Sequence, residues 1–181
     1  MRSRIRPMAI RSFFLSDFPV LYTTMRILGI DPGSHRVGYG LLDCTPGQFE
    51  VVAFGTIEVP PKSPASLCLQ TIFTDLQELL TCFQPELAVI EQLFFFRNLT
   101  TVIPVAQARG VILLSLANQG LAVAEYTPMQ VKLGLTGYGK ASKQEVQEAL
   151  QHVLGLEKIP RPDDAADALA LALCHAHQLG L

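Results

Sequence analysis

The order in which apolar segments and turns follow one another constrains the fold of this chain more than any other feature. Three apolar segments come first, at Arg26–Asp31, Val37–Asp43 and Phe49–Val59, and Pro46-Gly47 separates the last two. Sequential strands joined by short turns are typical of an antiparallel meander. We therefore predict that the fold begins with three antiparallel strands.

The rest of the chain alternates helical and strand patterns. Apolar residues recur at helical spacing across Ala65–Phe83, which follows a proline-rich break. Leu87–Ile90, ending at Glu91, and Leu121–Tyr126 predict two more strands. The order β-β-β-α-β-α-β-α-α predicts an α/β fold whose mixed sheet has three antiparallel strands and then parallel strands, with helices on its faces. The remaining helices are predicted from Pro104 in the first turn to about Asn118, from Ser142 to about Leu154, and from a cap at Asp163 or Asp164 to about His177. Between the last strand and the Ser142 helix, Met129–Leu133 predicts a single short helical turn and Gly134–Lys143 predicts a Gly/Lys loop.

Residues 1–24 differ from the rest of the chain. Four arginines and no acid occur before Asp17. A targeting presequence or a basic arm is one interpretation, although a secretory signal needs an apolar run of about 7–15 residues. Translation that begins at Met25, directly before the first strand, is the interpretation that we favour. We predict a working domain over residues 25–181, with residues 1–24 as an extension.

The predicted domain is acidic. Residues 1–24 hold four of the 14 basic and one of the 16 acidic residues, so residues 25–181 have a formal charge of −5. This charge is unusual for a protein that binds nucleic acid. Divalent cations held by carboxylates would restore positive charge where a phosphate binds.

Two further classes of protein are disfavoured. No apolar run approaches the ~18 residues that a bilayer crossing needs, so we expect no membrane association and a cytoplasmic location. The cysteines Cys44, Cys68, Cys82 and Cys174 lie far apart and form no C-x-x-C pair, which disfavours a zinc ribbon or a redox motif.

Carboxylates stand at positions where α/β folds place functional groups. Asp31 ends the first predicted strand and Glu91 ends a later one, while Asp164 and Asp167 share one face of the last helix. Each acid alone has an ordinary explanation, as a turn cap, an exposed strand end or a complement to the helix dipole. Their apolar flanks make desolvation costly unless a positive group joins them.

Converging carboxylates would repel one another, and hard divalent cations relieve that repulsion because they prefer oxygen ligands. Two such ions about 3.5–4 Å apart activate a water and stabilise the leaving oxygen in phosphodiester hydrolysis. This is the physical reason why a nuclease would use such a set of acids, with two Mg²⁺ ions expected per active site and Mn²⁺ as a substitute.

Several motifs occur in one order between residues 26 and 177. Together they resemble the RuvC family of crossover junction endodeoxyribonucleases, and this resemblance implies a ribonuclease-H-like fold. The matching stretches are Ile27–Ser34 with Gly38-Tyr39-Gly40 behind it, Ile90-Glu91-Gln92, Gln107–Gly110, Gln130-Val131-Lys132 and Asp164–Ala170.

The resemblance implies that Asp31, Glu91, Asp164 and Asp167 are the metal-binding catalytic carboxylates. It also implies a homodimer whose two sites face the two strands of a four-way DNA junction. Paired symmetric nicks would leave 5′-phosphate and 3′-hydroxyl ends. The expected partners are the four-way junction and the RuvA–RuvB branch-migration complex.

Five residues are candidates for holding DNA. Lys132 and Lys143 match lysines that the family uses against the DNA backbone, whereas Lys140 lies in a predicted Gly/Lys loop and has no such match. Phe94 matches a family position implicated in base stacking, and Arg97 follows it closely. We expect the extra aromatics between them to pack in the core or in a dimer.

Other functions remain as hypotheses. The Gly29–Gly33 loop is compatible with an ATP-dependent phosphotransferase of the actin-like group, but the chain is short and has neither a second phosphate loop nor an adenosine loop. A junction-binding module without cleavage would suit the acidic domain, but would be expected to lack one carboxylate. Cys174, His175 and His177 resemble zinc ligands, although they lie at the end of a helix without a fourth ligand nearby in sequence.

Overall fold

The computed structural model describes residues 23–92 and 99–181, and it contains a five-stranded mixed sheet in the order β3-β2-β1-β4-β5. The first three strands are antiparallel, while β4 runs parallel to β1 and to β5. The predicted meander and the change to parallel pairing are both present. The strands are β1 (Met25–Asp31), β2 (Arg36–Thr45), β3 (Gln48–Glu58), β4 (Leu87–Glu91) and β5 (Ala122–Tyr126).

Helices cover both faces of the sheet. Of the helices that the described residues form, two pack on one face, around Leu28 and Ile30, and three pack on the opposite face, around Ile27 and Leu42. Within the described ranges, no helix is long and apolar enough to span a bilayer. The first pair is α1 (Ala65–Phe83) and α2 (Leu99–Asn118), and the second group is α3 (Pro128–Thr136), α4 (Lys143–Val153) and α5 (Asp163–Gln178).

The close contact between α5 and the sheet positions the functional site. A Cβ atom at Gly29 would lie 1.9 Å from the carbonyl oxygen of Ala168, and one at Gly38 would lie 2.0 Å from that of Asp164. Only glycine lets the two backbones approach so closely. Alanines on α5 complete the contact, so the helix lies directly on β1 and β2.

Helix α2 begins earlier than the sequence predicts. Its first residue is Leu99, and Pro104 therefore lies inside the helix rather than in its first turn. A proline there removes one backbone hydrogen bond. Ala108, Ile112 and Leu116 are fully buried on one face of α2, and this packing holds the helix despite the proline.

Helix α3 is a full helix rather than the single turn predicted from the sequence. Thr127 and Gln130 form a capping box, in which the Gln130 amide donates to Thr127 Oγ1 at 3.1 Å and the Thr127 amide donates to Gln130 Oε1 at 2.9 Å. Val131 is buried beneath it. The predicted Gly/Lys loop is therefore reduced to residues 137–142.

The cap of α5 also differs from the prediction. Pro162 is the N-cap residue and makes no side-chain hydrogen bond, whereas Asp163 and Asp164 both lie in the first turn. The helix begins one residue earlier than an aspartate cap would allow. Both side chains are thereby available for contacts with other elements.

Candidate active site

Strand pairing brings Asp31 and Glu91 to the same edge of the sheet. β1 and β4 are parallel with Ile30 opposite Ile90, and the two acids are the next residues in that register. Neighbouring strands lie about 4.8 Å apart. Two carboxylates that are 60 positions apart in sequence therefore project from adjacent strand ends.

The first turn of α5 adds two more acids at this edge. Asp31 pairs with Gly38 across β1 and β2, and the backbone of Asp164 lies directly on Gly38. The charges of Asp164 and Asp167 both repel that of Asp31. The structure thus brings together all four predicted carboxylates, which we call the carboxylate cluster: Asp31, Glu91, Asp164 and Asp167.

The charged forms of the inner acids are disfavoured. Burial raises the pKa of Asp31 to about 7, and repulsion from the other three cluster acids adds to the effect. The pKa of Glu91 is also raised by burial and then by Asp167. Burial likewise raises the pKa of Asp167, although Lys143 opposes the shift. A positive charge beside the cluster would therefore favour the ionised forms of these acids.

Lys143 supplies part of that charge. Its Nζ atom lies 3.0 Å from Asp167 Oδ2 and 3.4 Å from Asp163 Oδ2. A capping box between Ser142 and Glu145 starts α4 immediately before this lysine and fixes its position. Although burial opposes it, contact with the two aspartates raises the pKa of Lys143.

The residues present fit a hard divalent cation. Every donor of the cluster is a carboxylate oxygen, which Mg²⁺ prefers, and mutual repulsion already destabilises the charged acids. Across residues 23–92 and 99–181, no three His, Cys, Asp or Glu side chains are already arranged around one point as metal ligands. Lys143 and Arg36 contact the cluster instead.

Comparison with known proteins assigns the chain to a family. The model of the family described as "Crossover junction endodeoxyribonuclease RuvC" matches residues 27–175. The RuvC of Syntrophomonas wolfei is 49% identical over 157 residues, which are 87% of this chain and 91% of that relative. The chain belongs to the RuvC family of crossover junction endodeoxyribonucleases.

Other RuvC proteins agree with this assignment. The RuvC of Heliobacterium modesticaldum is 50% identical over 86% of this chain and 96% of its own length. The structure of Thermus thermophilus RuvC in complex with a Holliday junction substrate superposes with a TM-score of 0.81 at 35% identity, covering 86% of this chain and 95% of that one. These matches confirm the predicted family and the predicted ribonuclease-H-like fold.

Arg36 is a second cation at the site of this RuvC chain, and the sequence analysis missed it. Its Nη1 atom lies 3.4 Å from Asp164 Oδ2, and its Nε atom lies 3.2 Å from Glu58 Oε1. The available signal was its place at the start of β2. A hairpin that follows Asp31 must return to the same edge of the sheet, and it brings Arg36 with it.

Arg109, within one of the RuvC motifs, holds the end of β4. Its Nε atom donates to the backbone oxygen of Glu91 at 3.4 Å, and its Nη2 atom lies 2.6 Å from Glu125 Oε2 on β5. The arginine is mostly buried. It therefore links α2 to the two strands beside the cluster and positions Glu91.

The remaining DNA-binding candidates are not brought to the cluster. Lys132 is half-buried on α3 and Lys140 is exposed in the loop of residues 137–142. In the part of the chain that the structure describes, neither contacts a cluster acid. Phe94 and Arg97, with the aromatics between them, lie outside the described residues.

Cys174, His175 and His177, which resemble zinc ligands in the sequence, each contact a different protein group. Cys174 Sγ lies 3.8 Å from the backbone oxygen of Gln130, and His175 Nδ1 lies 2.8 Å from the hydroxyl oxygen of Tyr126. The ring of His177 packs edge-on against Phe49. These three side chains therefore contribute to packing around the C-terminal part of α5.

Proposed function

We propose that this RuvC-family chain resolves four-way DNA junctions by metal-dependent hydrolysis of one phosphodiester in each of two opposed strands. The products would carry 5′-phosphate and 3′-hydroxyl ends. The observation that carries the proposal is the convergence of four carboxylates from β1, β4 and α5 at one edge of the sheet. The substrate of the Thermus thermophilus relative supports it.

Asp31, Glu91, Asp164 and Asp167 would hold two Mg²⁺ ions, with Mn²⁺ as a substitute. When bound, such ions supply an activated water and stabilise the leaving oxygen. Asp31 and Glu91 project from strand ends that their pairing holds rigidly, so their positions need little reorganisation during the reaction. Lys143 provides a positive charge beside the cluster, where a DNA phosphate requires one.

Further parts of the proposal concern the assembly. A homodimer would provide one site for each cut strand, and the exposed side chains of Ile103 and Leu114 on α2 support an apolar contact with a second copy. Lys132, Lys140, Phe94 and Arg97 would contact DNA away from the cluster. RuvA and RuvB would be the partners, and a chromosomal substrate implies a cytoplasmic location.

The test uses a synthetic four-way junction with a label on each strand, with and without Mg²⁺. Wild-type protein should produce paired nicks in opposed strands that a ligase reseals, and Asp31→Asn should bind the junction without cutting it. A linear duplex of the same sequence is the control substrate. Cutting by Asp31→Asn at the wild-type rate, or equal cutting of the duplex, would contradict the proposal.

A further inference from the structure

A groove of about 450 Å³ lies beside the carboxylate cluster, where β3 ends and β2 begins. Its lining combines three basic or imidazole side chains with one acid, and the basic ones are exposed. None of the three DNA candidates that the structure describes, Lys132, Lys140 and Lys143, lines this groove. The lining residues are His35, Arg36, Glu58, Val59, Pro61 and Lys62.

The groove adjoins the cluster through Arg36, which lines the groove and whose Nη1 atom lies 3.4 Å from Asp164 Oδ2. Arg36 pairs with Glu58 in the β2–β3 register, and the Val59 amide donates to the His35 oxygen at 2.9 Å. β2 is the direct neighbour of β1, and Arg36 lies two residues before Gly38, the residue that pairs with Asp31. A polynucleotide strand at the cluster would extend into it.

The backbone of Arg36 is closely packed, whereas its side chain is half exposed. A Cβ atom at Gly33 would lie 2.1 Å from the Arg36 oxygen, so the turn after Asp31 packs tightly against this residue. The side chain itself is 51% exposed, and its partners Glu58, at 3.2 Å, and Asp164, at 3.4 Å, are also partly exposed to solvent. Such pairs are weak, so little is lost when a stronger anion replaces them.

We propose that this groove binds the DNA backbone next to the cleaved phosphodiester, with Arg36 and Lys62 each contacting a phosphate. The inference rests on the proposed function. The planar guanidinium of Arg36 offers five N–H donors in a geometry that matches phosphate. In a domain of charge −5, a basic groove adjoining the cluster gives an anionic strand a favourable path.

A purely local role for Arg36 makes a different prediction. If the arginine only neutralises Asp164, its removal changes the Mg²⁺ concentration that cleavage requires and leaves the affinity for DNA unchanged. If it binds phosphate, its removal weakens junction binding and makes that binding less dependent on salt, because fewer counterions are released.

The experiment measures junction binding over a range of salt concentrations in Asp31→Asn protein, with Arg36→Ala or Lys62→Ala added. Each addition should weaken binding about tenfold and lower the slope of log K against log salt by about 0.9. Arg36→Lys should retain the slope and lose part of the affinity, because lysine is a point charge. Thermal melting of each variant checks that the protein is folded.

Lys158→Ala is the matched control. Lys158 lines a separate cavity with Phe49 at the opposite end of β3, so its removal should change neither affinity nor slope. Wild-type affinity and slope in both Arg36→Ala and Lys62→Ala would overturn the inference. The inference would also be overturned if Arg36→Ala, introduced into the active protein, changed the Mg²⁺ concentration that cleavage requires and left junction binding unchanged. Absence of junction binding by Asp31→Asn itself would overturn the proposed function as well.

Discussion

Folding places the Asp31 carboxylate where its negative charge is disfavoured. Its pKa is raised to about 7 by burial and then by the neighbouring acids, whereas the pKa of an aspartate in an unfolded chain is about 3.9. The stabilising contribution of the protonated form is complete below about pH 4 and is lost as the pH rises through about 7. A shift of this size corresponds to about 4 kcal/mol as an upper limit.

We therefore predict that metal-free protein loses stability between about pH 4 and about pH 7, and that Asp31→Asn is less sensitive to pH over this range. Urea unfolding in the presence of a chelator measures both effects. Addition of Mg²⁺ at the higher pH should raise the free energy of unfolding of the wild-type protein again, because ions that bind the folded state stabilise it. An identical pH dependence of Asp31→Asn and wild type would contradict the assignment.

Gly38 is a second residue that controls the geometry of the site, because there is no room for a Cβ atom at this position. A Cβ atom there would lie 2.0 Å from the Asp164 oxygen and 2.5 Å from its carbonyl carbon. We predict that Gly38→Ala pushes α5 away from β2, lowers stability by about 1–3 kcal/mol and reduces junction cleavage, because Asp164 moves with the helix.

Gly110→Ala is the control for Gly38→Ala, measured by chemical unfolding. A Cβ atom at Gly110 meets nothing within 4 Å, so alanine in that helix should leave stability unchanged or raise it by up to about 1 kcal/mol. Equal loss of stability in both variants would show that the contact with α5 is not what requires glycine at position 38.

At the scale of elements, the start of α4 controls the position of Lys143. The Glu145 amide donates to Ser142 Oγ at 3.2 Å, and the Ser142 amide donates to Glu145 Oε2 at 2.6 Å. Loss of an N-cap serine frays the first helical turn, in which Lys143 is the first residue. The contact between its ammonium and Asp167 depends on that turn.

We predict that Ser142→Ala lowers stability by about 1 kcal/mol and slows junction cleavage more than this small loss explains. Thr81→Ala is the matched control, because it removes an exposed hydroxyl that donates to the Gln77 oxygen on α1, far along the chain from the site. Cleavage rates at saturating Mg²⁺ compare the two. Equal cleavage rates in both variants would show that the function of Lys143 does not depend on the Ser142 cap.

At the scale of the whole molecule, the domain is anchored at its first strand. Arg26 Nε lies 2.7 Å from Asp43 Oδ1, and its Nη1 atom donates to the Phe83 oxygen at 2.9 Å. This residue ties β1 to β2 and to the end of α1. The family match also begins here, at residue 27.

We predict that a protein that begins at Met25 folds with the same melting temperature as the full chain and cuts junctions at the same rate. The physical reason is that the contacts of β1 are made by residues 25–31 themselves. Thermal unfolding and junction cleavage of both proteins test this. A lower melting temperature or a slower rate would assign a role to residues 1–24.

Local periodicity and turn chemistry were enough to predict most elements of the fold. The spacing of apolar residues predicts α1 from Ala65 to Phe83, as the structure has it, because helical spacing depends only on neighbours along the chain. The strand ends at Asp31 and Glu91 follow in the same way. The RuvC motifs then indicated the family and the four candidate catalytic acids.

Tertiary contacts decided what local patterns could not. Packing of Ala108 and its neighbours overrides the proline in α2, and burial of Val131 extends α3 beyond one turn. The sequence treats Lys132 and Lys143 alike, but only Lys143 contacts the cluster. Arg36 gains its position from strand pairing, because only the closed hairpin returns it to the edge where Asp31 ends. Distances between residues far apart in sequence depend on the packing of the whole sheet, and no local pattern contains them.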